Sequence, residues 1–501
     1  MLALLLSSVA GWQQLTTAQT LDRVRDAINY EVFAAGAAYS VEGTATFLGR
    51  DASYRLSFQP EGAYSERIEG KLSQLRGLDG THLWETDWSG VPISLTFEEH
   101  DLVTLVLALR THAWLAEDGP LAILGESILD SGDVELAVRP KGGLLEGIVV
   151  IDGSTWLPVS ARIEYSIASI EMEFGDWRDV AGFKYPFRLG VDHAGIDESV
   201  DVVALRRVNP LGQNFAPPQW SYSDDASFEA EIPANIEVRR APSGHLLVHP
   251  LVNGTDAGWF ILDSGSGAMV LDTAVADKLE LADMGRILVS GVGGTDSAAI
   301  RGKASLSLGP VTIEDLIFVE LDLSPIGDLF GIELGGIVGF DLFMRCVVEL
   351  DVEEQTVRLL EPGEYELASG EWLDLVLARR HPTVTVEYEG DRTGRFRIDT
   401  GAVGPVAFHS PAVEQLNLLD GRDVRPVQVT GVGGTSDLRQ GKLDWLEFGG
   451  YRWENVSAAF SLAKTGPFAD PYLVGNLSQT FLEPFVLVTD YPNHRFALVR
   501  K

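Results

Sequence analysis

The chain has 501 residues and a formal net charge of −35, from 38 Lys and Arg against 73 Asp and Glu. This length exceeds the size at which one hydrophobic core stops growing, so more than one domain is expected. The excess of carboxylates repels phosphate groups and argues against a nucleic-acid partner. The only cysteine is Cys346, which excludes an internal disulfide and a zinc site built on cysteines.

The N-terminal segment is strongly apolar over residues 1–10 and is typical of the hydrophobic part of a secretory signal. Small residues suited to cleavage lie at 8–10 or 16–18, so we interpret residues 1–18 as a signal segment. Export to the periplasm or outside the cell is then expected. If the segment is a simple N-terminal helix instead, the protein stays in the cytoplasm. No later stretch is apolar for the roughly 18 residues of a transmembrane span.

The next region, residues 19–208, opens with helical spacing over residues 20–35 and continues with alternating strands split by Gly and Asp. This pattern predicts a curved antiparallel sheet with one helix. Its Leu83-Trp84 strand, its Asp152–Pro158 turn and its Phe174–Arg178 segment resemble the LolA-like lipoprotein carriers. The resemblance implies a half-barrel whose concave face binds something apolar, and a structural domain with a filled core is the alternative.

An internal repeat occupies the rest of the chain. Irregular, Pro-rich residues 209–240 are interpreted as a linker, followed by copies at 241–362 and 377–501 with a connection at 363–376. Each copy has an apolar strand ending in Asp-Ser/Thr-Gly, then a Gly-Val-Gly-Gly segment and two apolar residues before Gly. The matched residues of the first copy are Asp263, Ser264, Gly265, Gly291, Val292, Gly293, Gly294, Ile337, Val338 and Gly339. Those of the second copy are Asp399, Thr400, Gly401, Gly431, Val432, Gly433, Gly434, Leu473, Val474 and Gly475.

The spacing within the copies supports the alignment. Asp263 precedes Gly339 by 76 residues, and Asp399 precedes Gly475 by the same 76. The distances from each Asp to its Gly-Val-Gly-Gly segment are 28 and 32 residues, which indicates a loop insertion in the second copy. A short helix is predicted after each Asp motif, from about Asp272 to Leu279 and, with Pro411 in its first turn, from Ser410 to Leu416.

Each copy resembles a subunit of the retropepsin-like, bacterial aspartyl protease family. The resemblance implies a mainly β protein in which two acid-protease β-barrel lobes follow the N-terminal half-barrel. It implies that Asp263 and Asp399 form the catalytic pair and that the Ser264 and Thr400 hydroxyls bond across the lobe interface. The Gly-Val-Gly-Gly segments would be flaps, and the apolar-apolar-Gly segments a floor beneath the Asp loops. No cofactor or metal is implied.

The chemistry explains why one Asp from each copy is needed. Two carboxylates about 3 Å apart cannot both ionise, so they share one proton. The ionised member takes a proton from water, and the protonated member donates one to the scissile carbonyl. The pair titrates as a unit, so the acid and the base are not assigned individually. A polypeptide is the expected substrate.

A single Asp-Thr-Gly is a common turn, but two copies in matched surroundings favour an aspartic endopeptidase. The Gly-rich segments are not phosphate loops, because neither precedes Gly-Lys-Ser/Thr. The second hypothesis is a catalytically silent peptidase scaffold whose N-terminal domain binds lipid or a protein, or regulates the cleft.

Overall fold

The computed structural model describes residues 16–501. Most of the predicted signal segment, residues 1–15, lies outside the described residues. Thr16 is the N-cap of the first helix, and its hydroxyl accepts a hydrogen bond from the Gln19 N–H. Among residues 16–501, no helix is long and apolar enough to cross a membrane.

The α-helices of the described chain are short. Their bounds are α1 Thr17–Ile28, α2 Tyr30–Ala34, α3 Phe97–Arg110, α4 Thr273–Lys278, α5 Ser324–Phe330, α6 Phe340–Phe343 and α7 Ser410–Gln415. Single 3₁₀ turns lie at Ala113–Leu115, Pro210–Gly212, Tyr222–Asp224, Pro362–Glu364, Pro467–Ala469 and Gln479–Phe481.

The N-terminal domain is a 13-stranded antiparallel sheet in the order β6-β5-β4-β3-β2-β1-β13-β12-β11-β10-β9-β8-β7. Its strands are β1 Tyr39–Phe47, β2 Arg50–Phe58, β3 Tyr64–Glu69, β4 Ser73–Leu78, β5 Leu83–Thr86, β6 Pro92–Ser94, β7 Leu121–Ile128, β8 Val134–Pro140, β9 Gly147–Ile151, β10 Pro158–Tyr165, β11 Ala168–Val180, β12 Phe183–His193 and β13 Ile196–Arg207. This order confirms the predicted curved antiparallel sheet.

Helices fill one face of that sheet. Val24 of α1, Phe33 of α2 and Leu105 of α3 share one buried cluster with inward-facing strand residues such as Leu56 and Leu136. The helix predicted over residues 20–35 is interrupted at Asn29, whose φ of 62° ends α1 in the left-handed region. The three helices therefore contribute side chains to the core on that face of the sheet.

Lobe 1, residues 241–362, and the stretch before it contribute the strands β14 to β26. They are β14 Ala226–Phe228, β15 Val238–Arg240, β16 Leu246–Val248, β17 Leu251–Val252, β18 Thr255–Asp256, β19 Trp259–Leu262, β20 Met269–Asp272, β21 Ala282–Gly291, β22 Gly294–Leu308, β23 Val311–Leu321, β24 Leu334–Val338, β25 Val347–Asp351 and β26 Thr356–Leu360. Lobe 2, residues 377–501, and its connection contribute β27 Leu373–Asp374, β28 Val376–Ala378, β29 His381–Tyr388, β30 Arg392–Asp399, β31 Val406–Phe408, β32 Arg425–Gly431, β33 Gly434–Phe448, β34 Tyr451–Ser461, β35 Gly475–Ser478, β36 Phe485–Asp490 and β37 Arg495–Arg500.

The two lobes repeat one strand arrangement. In lobe 1, β19 runs parallel to β24, and β20 pairs antiparallel with the other edge of β24. In lobe 2, β30, β35 and β31 are paired in the same way. A five-stranded sheet, β26-β25-β36-β37-β27, then joins the lobes within one chain, with Val347 of lobe 1 opposite Asp490 of lobe 2.

Parts of both predicted connections form strands that pair with strands of the lobes. The second half of the predicted linker, 209–240, forms β14, which pairs with β23, and β15, which pairs with β16. In the predicted connection 363–376, β27 pairs with β37. The sequence did not indicate these strands because two or three residues are too few to show a periodic pattern.

Candidate active site

The two Asp loops face each other across the lobe interface. Asp263 directly follows β19, and its N–H donates to the Val338 carbonyl at 2.9 Å. A Cβ atom placed on Gly265 would lie 2.6 Å from Cγ of Asp399, and one on Gly401 would lie 2.2 Å from Cγ of Asp263. Each carboxyl group therefore packs against the glycine of the opposite loop, where no larger residue fits. The structure thus brings together the two predicted catalytic residues.

Four hydrogen bonds lock the loops to one another. The Ser264 N–H donates to Thr400 Oγ1 at 2.9 Å, and Thr400 Oγ1 donates to the Leu262 carbonyl at 3.0 Å. The reverse pair is the Thr400 N–H to Ser264 Oγ at 3.1 Å and Ser264 Oγ to the Ile398 carbonyl at 2.8 Å. Because both hydroxyls are buried and both donate and accept, they fix the separation of the two loops.

Hydrogen bonding and burial act on the pKa values of Asp263 and Asp399. Asp263 Oδ1 accepts the Gly265 N–H at 2.7 Å and the Gly401 N–H at 3.1 Å. Burial raises the pKa of Asp263, and the charge of Asp399 raises it further. Burial also raises the pKa of Asp399, against the lowering effect of Arg397. Two adjacent carboxyls with raised pKa values can hold one shared proton near neutral pH.

The predicted flap segments are hairpin tips that contact each other. Gly291–Gly294 closes the β21–β22 hairpin, and Gly431–Gly434 closes the β32–β33 hairpin. The Gly293 N–H donates to the Val432 carbonyl at 3.0 Å, which ties one tip to the other. A Cβ on Gly293 would lie 2.1 Å from the Gly434 nitrogen. The absence of a side chain at Gly293 therefore permits the backbones of the two tips to meet.

The structure places the predicted floor residues beside the Asp loop in lobe 1 but not in lobe 2. In lobe 1, Ile337 and Val338 pair with Ile261 and Leu262 directly before Asp263. In lobe 2, the residues beside Arg397, Ile398 and Asp399 are Asn476, Leu477 and Ser478. The sequence analysis had placed Leu473, Val474 and Gly475 there.

Those three residues lie three positions too early along the chain. Gly475 pairs with Phe396, as Gly336 pairs with Phe260 in lobe 1, so Gly475 corresponds to Gly336 rather than to Gly339. The equal spacing of 76 residues was a coincidence of two Val-Gly pairs. The longer segment before the second flap moves the residues that correspond to the lobe 1 floor further along the chain.

Two polar residues of the site were missed by the sequence analysis. Asn476 donates from Nδ2 to Asp399 Oδ2 at 3.3 Å, and Arg397 lies two residues before Asp399 on β30. Asn476 was hidden by the misplaced repeat alignment. Arg397 carried a usable signal, since a charged residue stands between Phe396 and Ile398 where lobe 1 has Ile261.

The N-terminal domain contacts the flap and lobe 2. The turn between β10 and β11 accepts two hydrogen bonds, from Thr295 Oγ1 to the Ile167 carbonyl at 2.9 Å and from the Gly466 N–H to the Ser166 carbonyl at 2.8 Å. Thr295 belongs to the first flap hairpin. On lobe 2, Arg379 forms an ion pair with Glu98 of α3. The domain therefore packs beside the first flap and the predicted cleft.

Two repeated lobes joined by a shared sheet, with an Asp-Ser/Thr-Gly loop from each, define the acid-protease class of fold. The family model described as aspartyl protease matches residues 248–342 and 384–473. The chain therefore contains two tandem regions similar to this family model, and they lie within the two copies that the sequence predicted.

Comparison with solved structures gives three further likenesses. A LolA superfamily protein from Nitrosomonas europaea is 13% identical, covers 39% of this chain and 95% of its own, and has a TM-score of 0.28. A DUF1329 family protein from Desulfovibrio piger is 13% identical, with 40% and 96% covered and a TM-score of 0.28. A retropepsin-like aspartic protease from Rickettsia conorii is 17% identical, with 27% and 95% covered and a TM-score of 0.20. The search of curated proteins gave no significant match.

Proposed function

We propose that the chain is an aspartic endopeptidase in which Asp263 and Asp399 activate a water molecule for attack on a peptide bond. The observation that carries the proposal is the reciprocal packing of each carboxyl group against the glycine of the opposite loop. With one proton shared, the ionised carboxylate accepts a proton from water and the neutral one donates to the carbonyl oxygen. The buried hydroxyl bonds of Ser264 and Thr400 would hold the pair in that geometry.

The proposal gives the other predicted residues supporting roles. The two flap tips would cover a polypeptide lying over the carboxyl groups, and they would separate to admit it. The floor would keep water away from the underside of the loops, where burial raises the carboxyl pKa values. The N-terminal domain, through the Ser166–Ile167 turn, would limit how far the first flap moves.

The test is cleavage of an unfolded protein by the full chain and by the Asp263→Asn and Asp399→Asn variants. Each substitution keeps the side-chain shape but removes the shared proton system, so we expect a loss of at least about a thousandfold in kcat/KM. Asp391→Asn is the matched control, because Asp391 is an exposed residue in the β29–β30 turn.

A bell-shaped pH profile is expected for the active chain, since one carboxyl must be ionised and the other protonated. Near-native unfolding temperatures in both Asn variants would show that the loss is chemical rather than structural. Retained cleavage in either variant would contradict the proposal and favour the silent-scaffold hypothesis.

A further inference from the structure

A charged side chain lies beside the proposed catalytic pair without an ion-pair partner among the described residues. Arg397 precedes Asp399 by two residues on β30, so both side chains leave the same face of the strand. Its neighbour across the strand pair is Asn476, whose amide contacts Asp399. Burial raises the pKa of both Asp399 and Asp263, and the positive charge of Arg397 opposes that rise. Arg397 therefore belongs to the wall of the cleft next to the reacting groups.

The side chain of Arg397 is buried and forms no ion pair within the described chain. The residue is 6% exposed, and its Nε atom is enclosed without a hydrogen-bond partner within the described chain. Burial lowers its pKa, against the raising effect of the Asp399 and Asp470 charges. Buried arginines are normally paired with an anion, and the planar fork of donors fits a carboxylate. Asp399 and Asp470 are near enough to act on its charge, but neither is hydrogen-bonded to its Nε atom within the described chain.

The neighbouring arginine, Arg379, contacts carboxylates of the N-terminal domain. Arg379, whose charge acts on Arg397, forms an ion pair with Glu98, and its backbone N–H donates to Glu99 Oε2 at 3.2 Å. Both glutamates belong to helix α3 of the N-terminal domain. Carboxylates of the chain itself therefore bind Arg379. The Nε atom of Arg397, in contrast, has no hydrogen-bond partner in the described chain.

The equivalent wall of lobe 1 is apolar. By strand register, Arg397 corresponds to Ile261 and Asn476 corresponds to Ile337. Ile261 and Ile337 belong to an apolar cluster against which Val432, at the tip of the second flap, also packs. The cleft is thus built from one apolar wall and one cationic wall, although the two lobes share a fold.

We propose that Arg397 forms a cationic subsite beside Asp399 that binds the side-chain carboxylate of an Asp or Glu flanking the scissile bond of a polypeptide substrate. The residue on the other side of that bond lies against the apolar wall of lobe 1. This inference rests on the proposed function. An apolar side chain at the Arg397 subsite would leave the buried charge unpaired, which makes the subsite selective.

The test is a set of quenched fluorescent peptides that carry Glu, Gln or Leu in turn on each side of one cleavage position. The full chain is expected to prefer Glu over Gln by about tenfold or more in kcat/KM on one side only. Arg397→Met, which keeps length and removes charge, should abolish that preference. Arg397→Lys, which keeps charge and loses the fork, should retain part of it. Arg395→Leu on the same strand is the control for a lost positive charge.

Three outcomes overturn the inference. The first is a full chain without any Glu preference, and the second is an Arg397→Met protein that keeps the preference. The third is an Arg397→Met protein in which only the pH profile shifts, because Arg397 would then act on the carboxyl pair alone. If Arg397→Met does not fold, the Arg397→Lys comparison decides.

Failure of the proposed function is recognised separately. Binding of the same peptides to the Asp263→Asn protein, measured by fluorescence anisotropy, needs no catalysis. If the full chain cleaves nothing, a Glu preference in binding that Arg397→Met removes supports the subsite. Equal binding of the Glu and Gln peptides contradicts it.

Discussion

At the scale of single residues, the contact between the Asp loops depends on two hydroxyls that each serve two backbone groups. Thr400 Oγ1 accepts from the Ser264 N–H and donates to the Leu262 carbonyl. Thr400→Val keeps the shape of the side chain but leaves the Ser264 N–H and the Leu262 carbonyl without a hydrogen-bond partner. We expect a loss of about 2–4 kcal/mol in the free energy of unfolding, measured by denaturant titration.

The matched variant for this prediction is Thr400→Ser, which keeps the hydroxyl and removes one methyl group. It should unfold within about 1 kcal/mol of the native chain. If Thr400→Val and Thr400→Ser were equally stable, the hydroxyl bonds would not be what joins the loops.

Site residues could be predicted from the sequence where they are adjacent along the chain. Asp263, Ser264 and Gly265 are adjacent, so the spacing within the loop could be found without a structure. Arg397 and Asn476 become neighbours only through parallel pairing of β30 with β35. That register depends on loop lengths between the elements, and a difference of three residues misplaced the second floor.

At the scale of elements, the flap hairpins are held together at glycine-rich tips, where the backbones of the two hairpins meet. A Cβ on Gly293 would meet backbone atoms of Gly433 and Gly434 at 2.1–2.3 Å. Gly293→Ala should therefore separate the tips by about 1 Å and reduce kcat/KM about 10- to 100-fold with little change in stability. Steady-state cleavage assays and thermal unfolding of the variant would check both parts.

The control for the flap prediction is Gly125→Ala in β7, where an added Cβ meets nothing within 4 Å. That variant should cleave at the native rate. A Gly293→Ala protein with native kcat/KM would show that contact between the tips is not needed for turnover.

Elements with end signals were predictable, whereas the shortest ones were not. Helix α4 begins after Asp272, whose Oδ1 accepts the Ala274 N–H at 2.9 Å, and α7 has Pro411 in its first turn. These signals were used correctly. Strands β14 and β27 lack such signals, and they exist because neighbouring strands β23 and β37 have free edges there.

At the scale of the whole molecule, buried carboxyls of the N-terminal domain face the protease half. Burial and the Asp341 charge raise the pKa of Asp87, and Ser89 beside it donates from Oγ to Asp341 Oδ1 at 3.4 Å. Burial and the Glu85 charge raise the pKa of Glu99 to about 7. The interface thus includes two acids, Asp87 and Glu99, whose protonated form the folded protein favours.

The sign of the pH dependence follows from that preference. A carboxyl whose folded pKa exceeds its unfolded value, near 4, contributes most below that value. Its contribution is lost as the pH rises to about 7, and above this the folded chain holds a buried charge at full cost. For Glu99 the window is set by its pKa of about 7, and the direction for Asp87 is the same.

The pair Asp87→Asn and Glu99→Gln should therefore stabilise the chain at pH 8 and have little effect at pH 4. Each new amide keeps an acceptor oxygen, at position 87 for the Ser89 and Val91 N–H groups and at position 99 for the Arg379 N–H. We expect about 1–3 kcal/mol per substitution at pH 8, seen as a higher unfolding temperature. Equal shifts at pH 4 and pH 8 would mean that packing rather than ionisation governs the interface. A shift confined to pH 8 would show that ionisation of these interface acids destabilises the folded chain as the pH rises.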